Sequence, residues 1–170
     1  MSDIKSVLVD TTFLSALHKK DDTWHKNAKE YYKYFLNEKI SLNISVISLA
    51  EFFVVADPKD FPQYNIRLIA LNYNHSVKAS EIAKILFKEQ KEKHPEVKRK
   101  IIPNDAKIIS HMKVDEISHV ISSDDHFIKL IEILNSLNNS SYKLIHLQNS
   151  LADELRYLFL PERLKGKDFL

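Results

Sequence analysis

Four carboxylates in this chain stand where an alternation of strands and helices would gather them: Asp10, Glu51, Asp105 and Asp124. Asp10 ends the apolar run Ser6-Val7-Leu8-Val9, and Asp124 follows His119-Val120-Ile121-Ser122 by one residue. Glu51 closes Ser48-Leu49-Ala50-Glu51 just after the strand-like Leu42-Asn43-Ile44-Ser45-Val46, and Asp105 stands in Pro103-Asn104-Asp105. Two carboxylates about 5 Å apart repel by roughly 3 kcal/mol at an effective dielectric of about 20. Four converging anions therefore need a cation. Oxygen donors without thiolates select Mg²⁺ or Mn²⁺ over zinc. A hard ion held this way serves phosphodiester chemistry, activating water and neutralising charge on the scissile phosphate.

Taken singly, each acid also fits a plainer job. Glu51 completes an S-x-x-E capping box, Asp10 and Asp124 suit caps or turns, and Asp105 suits a helix N-terminus through the dipole. Asp125, directly beside Asp124, competes with it for the same position. Convergence is what would separate the two readings.

Composition narrows the remaining chemistry. The chain has 170 residues, enough for one domain that buries roughly 70% of its unfolded surface without staples. Cysteine is absent, which excludes thiol nucleophiles, iron–sulfur clusters, Cys-ligated zinc and disulfides. Glycine occurs once, at Gly166, against about 12 expected at average usage of ~7%. Neither a GxGxxG turn, a Walker A loop nor a GxSxG elbow exists here. Net charge is +2, so only its local distribution is informative. No apolar run approaches the ~18 residues of a membrane span and no signal-peptide stretch opens the chain, so a cytoplasmic protein with no membrane partner is expected.

The elements that must position the acids follow from periodicity. Residues 6–9, 42–46, 66–72, 119–122 and 142–147 read as strands. Trp24, Ala28, Tyr31, Tyr32, Phe35 and Leu36 fall on one helical face, as do Ala79, Ile82, Ala83, Leu86 and Phe87. The Ser48 capping box predicts a helix running through Phe52 to Ala56, ended near Pro58 and Pro62. Further helices start at Pro103 and at Ser123, Asn138-Asn139-Ser140 reads as a turn, and residues 150–160 as a last helix. Strands alternating with helices predict a three-layer α/β/α fold around a parallel sheet. Ligands bind outside the carboxyl ends of such strands, which brings Asp10, Glu51 and Asp124 to one edge. Asp105 joins them if Ile108, Ile109 and Met112, three, four and seven positions on, turn their helix face inward.

The segments Val7-Leu8-Val9-Asp10-Thr11-Thr12-Phe13-Leu14, Ser48-Leu49-Ala50-Glu51, Pro103-Asn104-Asp105-Ala106 and Val120-Ile121-Ser122-Ser123-Asp124-Asp125-His126-Phe127 resemble, in order and spacing, the signature segments of PIN-domain nucleases. The resemblance runs from residue 6 to residue 147, leaves 148–170 as a C-terminal helix and tail, and implies a single PIN-like, Rossmann-like domain over 1–170. It implies an Mg²⁺/Mn²⁺ site formed by Asp10, Glu51, Asp105 and Asp124, and hydrolysis of single-stranded RNA. Bacterial members are often VapC-like toxins held by an antitoxin, and a homodimer is expected. Ser122 stands where the family has Thr or Ser, and Phe127 where it has an apolar anchor. Extra length around 88–100 and after 147 departs from the compact toxins.

Other features carry less. Residues 84–100 hold Lys84, Lys88, Lys91, Lys93, Lys98, Arg99 and Lys100 against three glutamates, either a phosphate-backbone track or a solvated helix end. The eight histidines form no HExxH and no close pair on one helix turn; His126, two residues after Asp124, reads as an ordinary helix residue before a zinc ligand or a ligand's neighbour. The aromatic stripe of residues 24–36 reads as core or dimer interface rather than a base-stacking surface. Leu151, Leu155, Leu158 and Phe159 read as packing. The competing function is a non-catalytic RNA-binding or protein-interaction module on the same fold, which would gain nothing from anions facing a phosphate backbone.

Overall fold

Short runs rich in Val, Ile and Leu, buried on both faces, are what a parallel sheet covered by helices requires. The computed structural model describes residues 4–61, 65–137 and 141–159. In chain order the elements are β1 (Ser6–Val9), α1 (Thr11–His18), α2 (His25–Asn37), β2 (Ser41–Ser45), α3 (Val46–Phe52), a 3₁₀ turn (Pro58–Asp60), β3 (Ile66–Ile69), α4 (Tyr73–Glu92), α5 (Ile102–Val114), β4 (His119–Ser122), α6 (Asp125–Ser136), β5 (Lys143–His146) and α7 (Leu151–Phe159). The sheet order is β3-β2-β1-β4-β5, and every neighbouring pair is parallel. The strand order reverses direction between β1 and β4, so the crevice of the fold opens at their carboxyl ends.

Alternation along the strands sends side chains to two separate cores. Leu8 and Val120 point into one, where Ile82, Leu86, Ile102, Ile108, Ile109, Met112, Phe127 and Leu130 cover the sheet from α4, α5 and α6. Val7, Val9, Leu42, Ile44 and Ile121 point into the other, against Phe13, Leu14, Ala28, Tyr31 and Phe35 of α1 and α2. Phe127 is fully buried and anchors the first turn of α6, a position where truncation to Ala costs about 3–5 kcal/mol. The helical stripe 24–36 is thus core rather than a stacking surface, with Ala28, Tyr31 and Phe35 buried. Helices α4 and α5 pack along each other in antiparallel sense, since the start of α4 meets the end of α5 at His75 and Asp115. The C-terminal end of α4 therefore lies beside the start of α5.

Some expected boundaries differ: the strand expected over 66–72 ends at Ile69, and Val46, expected in the second strand, opens α3. Ser48 does not cap a helix; Ser45 does, its hydroxyl accepting from the Ile47 amide at 3.1 Å. Pairing of Ser45 with Ile69 carries β2 to its last residue, and the helix begins immediately after it. Ser48 lies inside α3, fully buried, and among the described residues its hydroxyl has no hydrogen-bond partner. Glu51 consequently sits in the second turn of α3 rather than in a capping box, and the helix stops at Phe52 instead of running to Ala56. The expected turn at residues 138–140, Pro62, and the side chains of Leu158 and Phe159 lie outside the described residues. None of the described helices is long and apolar enough to cross a membrane.

Candidate active site

Asp10 is the residue where β1 gives way to α1, and its amide donates to the Ile121 carbonyl at 3.2 Å, extending the β1–β4 pairing by one step. Its side chain caps no helix. Instead Oδ2 accepts from the Ser122 hydroxyl at 2.8 Å and from the Thr12 hydroxyl at 3.1 Å. The Ser122 oxygen in turn accepts from the Asp124 amide at 3.0 Å, and the Thr12 oxygen accepts from the Ser123 amide at 3.0 Å. Two hydroxyls thus link the ends of β1 and β4. Burial pushes the Asp10 carboxyl above its ordinary value; the hydrogen bonds from Ser122, Thr11 and Thr12 oppose that, and the charge of Asp124 adds to it.

Asp124 does cap: its Oδ1 accepts from the amides of His126 at 2.8 Å and Phe127 at 3.3 Å at the start of α6. Its charge nevertheless reaches both Asp10 and Asp105. Asp125, the first residue of α6, is exposed and is not among the charges acting on those two acids. Glu51 is tied to α1, its Oε2 accepting from the Thr11 hydroxyl at 2.8 Å. Asp105, in the first turn of α5, is half-buried, and none of the described residues donates to its carboxylate. Burial, then the charges of Asp10, Asp124 and Glu51, push its carboxyl up to about 8.

The four expected acids therefore act on one another electrostatically, from four different elements at one edge of the sheet. Among the described residues no lysine or arginine pairs with any of them. An oxygen-only donor set, with one carboxyl pushed up in part by the charges of the other three, fits a hard divalent ion such as Mg²⁺ or Mn²⁺. Thr11, Thr12 and Ser122 complete the arrangement. Of these, the resemblance singled out Ser122; Thr11 and Thr12 lay within a resembling segment, but nothing in the sequence gave them a role.

A second cluster had no such signal. Among the described residues His75, His111 and Asp115 bring three ligand-type atoms within 4.8 Å of one another. The ring of His75 accepts from the Asn72 amide at Nδ1, 3.3 Å away, so its hydrogen sits on Nε2 and is donated to Asp115 Oδ2 at 2.9 Å. A metal-bound histidine normally donates from its other nitrogen, the reverse of this arrangement. The cluster instead clamps the start of α4 to the end of α5, with Arg67 of β3 3.5 Å from Asp115 and His111 Nε2 3.1 Å from the Ser45 hydroxyl. Burial, then the proximity of His75, lowers His111 to about 4, against the opposing pull of Asp115.

Comparisons with known proteins agree with this fold. The family model described as "PIN domain" matches residues 7–133. Among solved structures, VapC20 of Mycobacterium tuberculosis, a toxin that cleaves the sarcin–ricin loop, is 18% identical with a TM-score of 0.51, covering 72% of this chain and 93% of that one. VapBC2 of Rickettsia felis, solved with a DNA fragment from its promoter, is 17% identical with a TM-score of 0.54, covering 83% and 98%. Likeness at these identities speaks for the fold. No curated relative matches the chain in sequence.

Proposed function

The chain belongs to the PIN domain family, and from that premise we propose that it is an endoribonuclease dependent on Mg²⁺ or Mn²⁺ that hydrolyses single-stranded RNA. The observation carrying this reading is the gathering of Asp10, Glu51 and Asp124 close enough for their charges to act on half-buried Asp105, with no lysine or arginine among the described residues paired to any of the four. Asp10, Asp105 and Asp124 would hold the ion; Glu51 is a further ligand or acts by orienting through Thr11. When bound, such an ion neutralises charge on the scissile phosphate and lowers the pKa of water. The chain's own part is positional. Ser122 and Thr12 aim Asp10 and favour its ionised form against burial, the α6 amides fix one oxygen of Asp124, and α5 presents Asp105, to whose carboxylate none of the described residues donates. No histidine base and no covalent intermediate is needed.

The biological role follows less directly. The likeness to VapC20 and VapBC2 supports a toxin restrained by an antitoxin protein, and such toxins would act as homodimers in the cytoplasm. A neighbouring open reading frame encoding a small protein with a DNA-binding head, whose co-expression relieves growth arrest, would establish that version. The nuclease itself is tested by incubating the purified chain with mixed RNA in Mg²⁺, Mn²⁺ or EDTA. Cleavage in the metals and none in EDTA is expected. Undiminished cleavage in EDTA would overturn the metal mechanism, and no cleavage under any condition would favour a binding module.

A further inference from the structure

The helix pair α4–α5 is joined by residues 93–101, and because the two helices run antiparallel this connection lies at the same end as Asp105. It is not a loose loop. Val97 is buried in the core beside Ile102, and its amide donates to the His94 carbonyl at 3.0 Å. The Ile101 amide donates to the Lys98 carbonyl at 3.1 Å, and the Asp105 amide to the Ile101 carbonyl at 3.2 Å. Lys98, Arg99 and Lys100 are thus held in a tight turn directly before the helix that carries Asp105.

All three are exposed, and among the described residues none has an acidic partner, whereas Lys93 beside them is paired with Glu89. Arg99 lies over the Phe87 ring, 4.7 Å from its centroid. That contact fixes the guanidinium plane and leaves its edge N–H groups free for phosphate oxygens. Lys84, Lys88 and Lys91, also exposed and without an acidic partner among the described residues, fall at i, i+4 and i+7 on α4. They form one stripe about 10 Å long that leads to the same turn.

We propose that this basic track holds the backbone of the RNA, Lys98, Arg99 and Lys100 gripping the phosphates next to the acidic cleft. The inference rests on the nuclease reading for its substrate. Cations spread over the cleft itself would bind the four acids and displace the ion they need. Placed one turn away, they attract the strand without neutralising the site. The track reads charge and spacing rather than bases, so its effect on affinity is independent of sequence.

The test uses a fluorescein-labelled single-stranded RNA of mixed sequence, with binding followed by anisotropy in EDTA and cleavage followed in Mn²⁺. Replacing Lys98, Arg99 and Lys100 by Ala should lower the salt dependence of binding by up to about 2 in log–log slope, at ~0.7 per phosphate contact on single strands. Cleavage at saturating RNA should stay within about threefold of wild type while KM rises, since phosphate contacts bind ground state and transition state alike. A control removes three exposed charges from α2, Lys26, Lys29 and Lys33, and should leave the slope unchanged. An unaltered slope in the first variant, an equal fall in both, or a wild-type chain that does not bind RNA would each overturn the track. A wild-type chain that binds with this salt dependence but never cleaves would support the track and remove the nuclease reading.

Discussion

The Ser122 hydroxyl, at the end of β4, donates to Asp10 Oδ2 at the end of β1 across 2.8 Å while accepting from the Asp124 amide. One side chain therefore sets the position of two acids on either side of the fold's crevice. Its hydrogen bond favours the ionised form of Asp10, against the burial that raises it. Ser122→Ala should raise the Asp10 carboxyl further and weaken metal binding about 10–100-fold, the usual cost of losing a group that orients a ligand. The loss should shrink as pH rises and Asp10 is ionised regardless. Ser122→Thr, which keeps the hydroxyl, should restore most of the activity. Metal titrations of cleavage at several pH values read this out; a loss independent of pH would assign Ser122 to packing alone.

Asp105 takes up its proton near 8 in the folded chain and near 3.8 when unfolded. Its folded value is raised, so the stability it contributes is complete below the unfolded value and is lost as pH rises through the folded one. The metal-free protein should therefore melt lower at pH about 8.5 than at about 5.5 through this group, and Asp105→Asn should remove that dependence. At neutral pH and above the variant should be the more stable protein in EDTA. Metal at ten times its dissociation constant should add about 1.4 kcal/mol to wild type, roughly 3–5 °C in melting temperature, and much less to the variant. If Asp105 served only the helix dipole, its neutralisation would cost up to about 1 kcal/mol and metal would have no effect. The signs are opposite.

Asp124 and Asp125 separate in the same way. Asn caps a helix about as well as Asp, so Asp124→Asn should keep its bonds to His126 and Phe127 and leave stability in EDTA nearly unchanged. Cleavage should nonetheless fall by about 10–100-fold, because the charge felt at Asp10 and Asp105 is gone. Asp125→Asn, an exposed change in the first turn of α6, should leave cleavage within about twofold and cost at most about 1 kcal/mol. The reverse pattern in cleavage would exchange their roles.

Parallel topology made much of this legible. Once strands and helices alternate, acids just past the strand ends must share an edge, and the stripe of Ile108, Ile109 and Met112 turns Asp105 toward it. The start of α3 was not legible because Ser45 and Ser48 both offer a cap. What decides between them is the pairing of Ser45 with Ile69, a contact between residues 24 apart. Thr12 and Ser122 meet only because β1 and β4 pair with Val9 opposite Ile121. His75 and His111 meet only because two long helices pack antiparallel, which no local spacing announces.

Those buried histidines give the last expectation, on the acid side. His111 is held near 4 by burial and by His75, and His119 near 4 by burial and by the charge of Lys143. Both lie below the value near 6.5 of an unfolded histidine, so between about 6.5 and 4 the unfolded chain binds protons that the folded chain refuses. Stability through these groups is then lost as pH falls, by at most about 1.4 kcal/mol per pH unit for each histidine. The raised carboxyls of Asp10 and Asp105 change stability with pH in the opposite sense, so the pH profile of wild type alone does not isolate the histidines. The difference between wild type and a variant does. His111→Leu should be the less stable protein at pH about 7.5, where it gives up the bond to Ser45, and the gap should narrow steadily as pH falls below about 6.5. His119→Leu, which gives up the bond to Ser118, should show the same narrowing from a different strand. Denaturant unfolding of the three proteins at a series of pH values measures both gaps, and gaps that stay constant would mean that these histidines keep their ordinary proton affinity inside the fold.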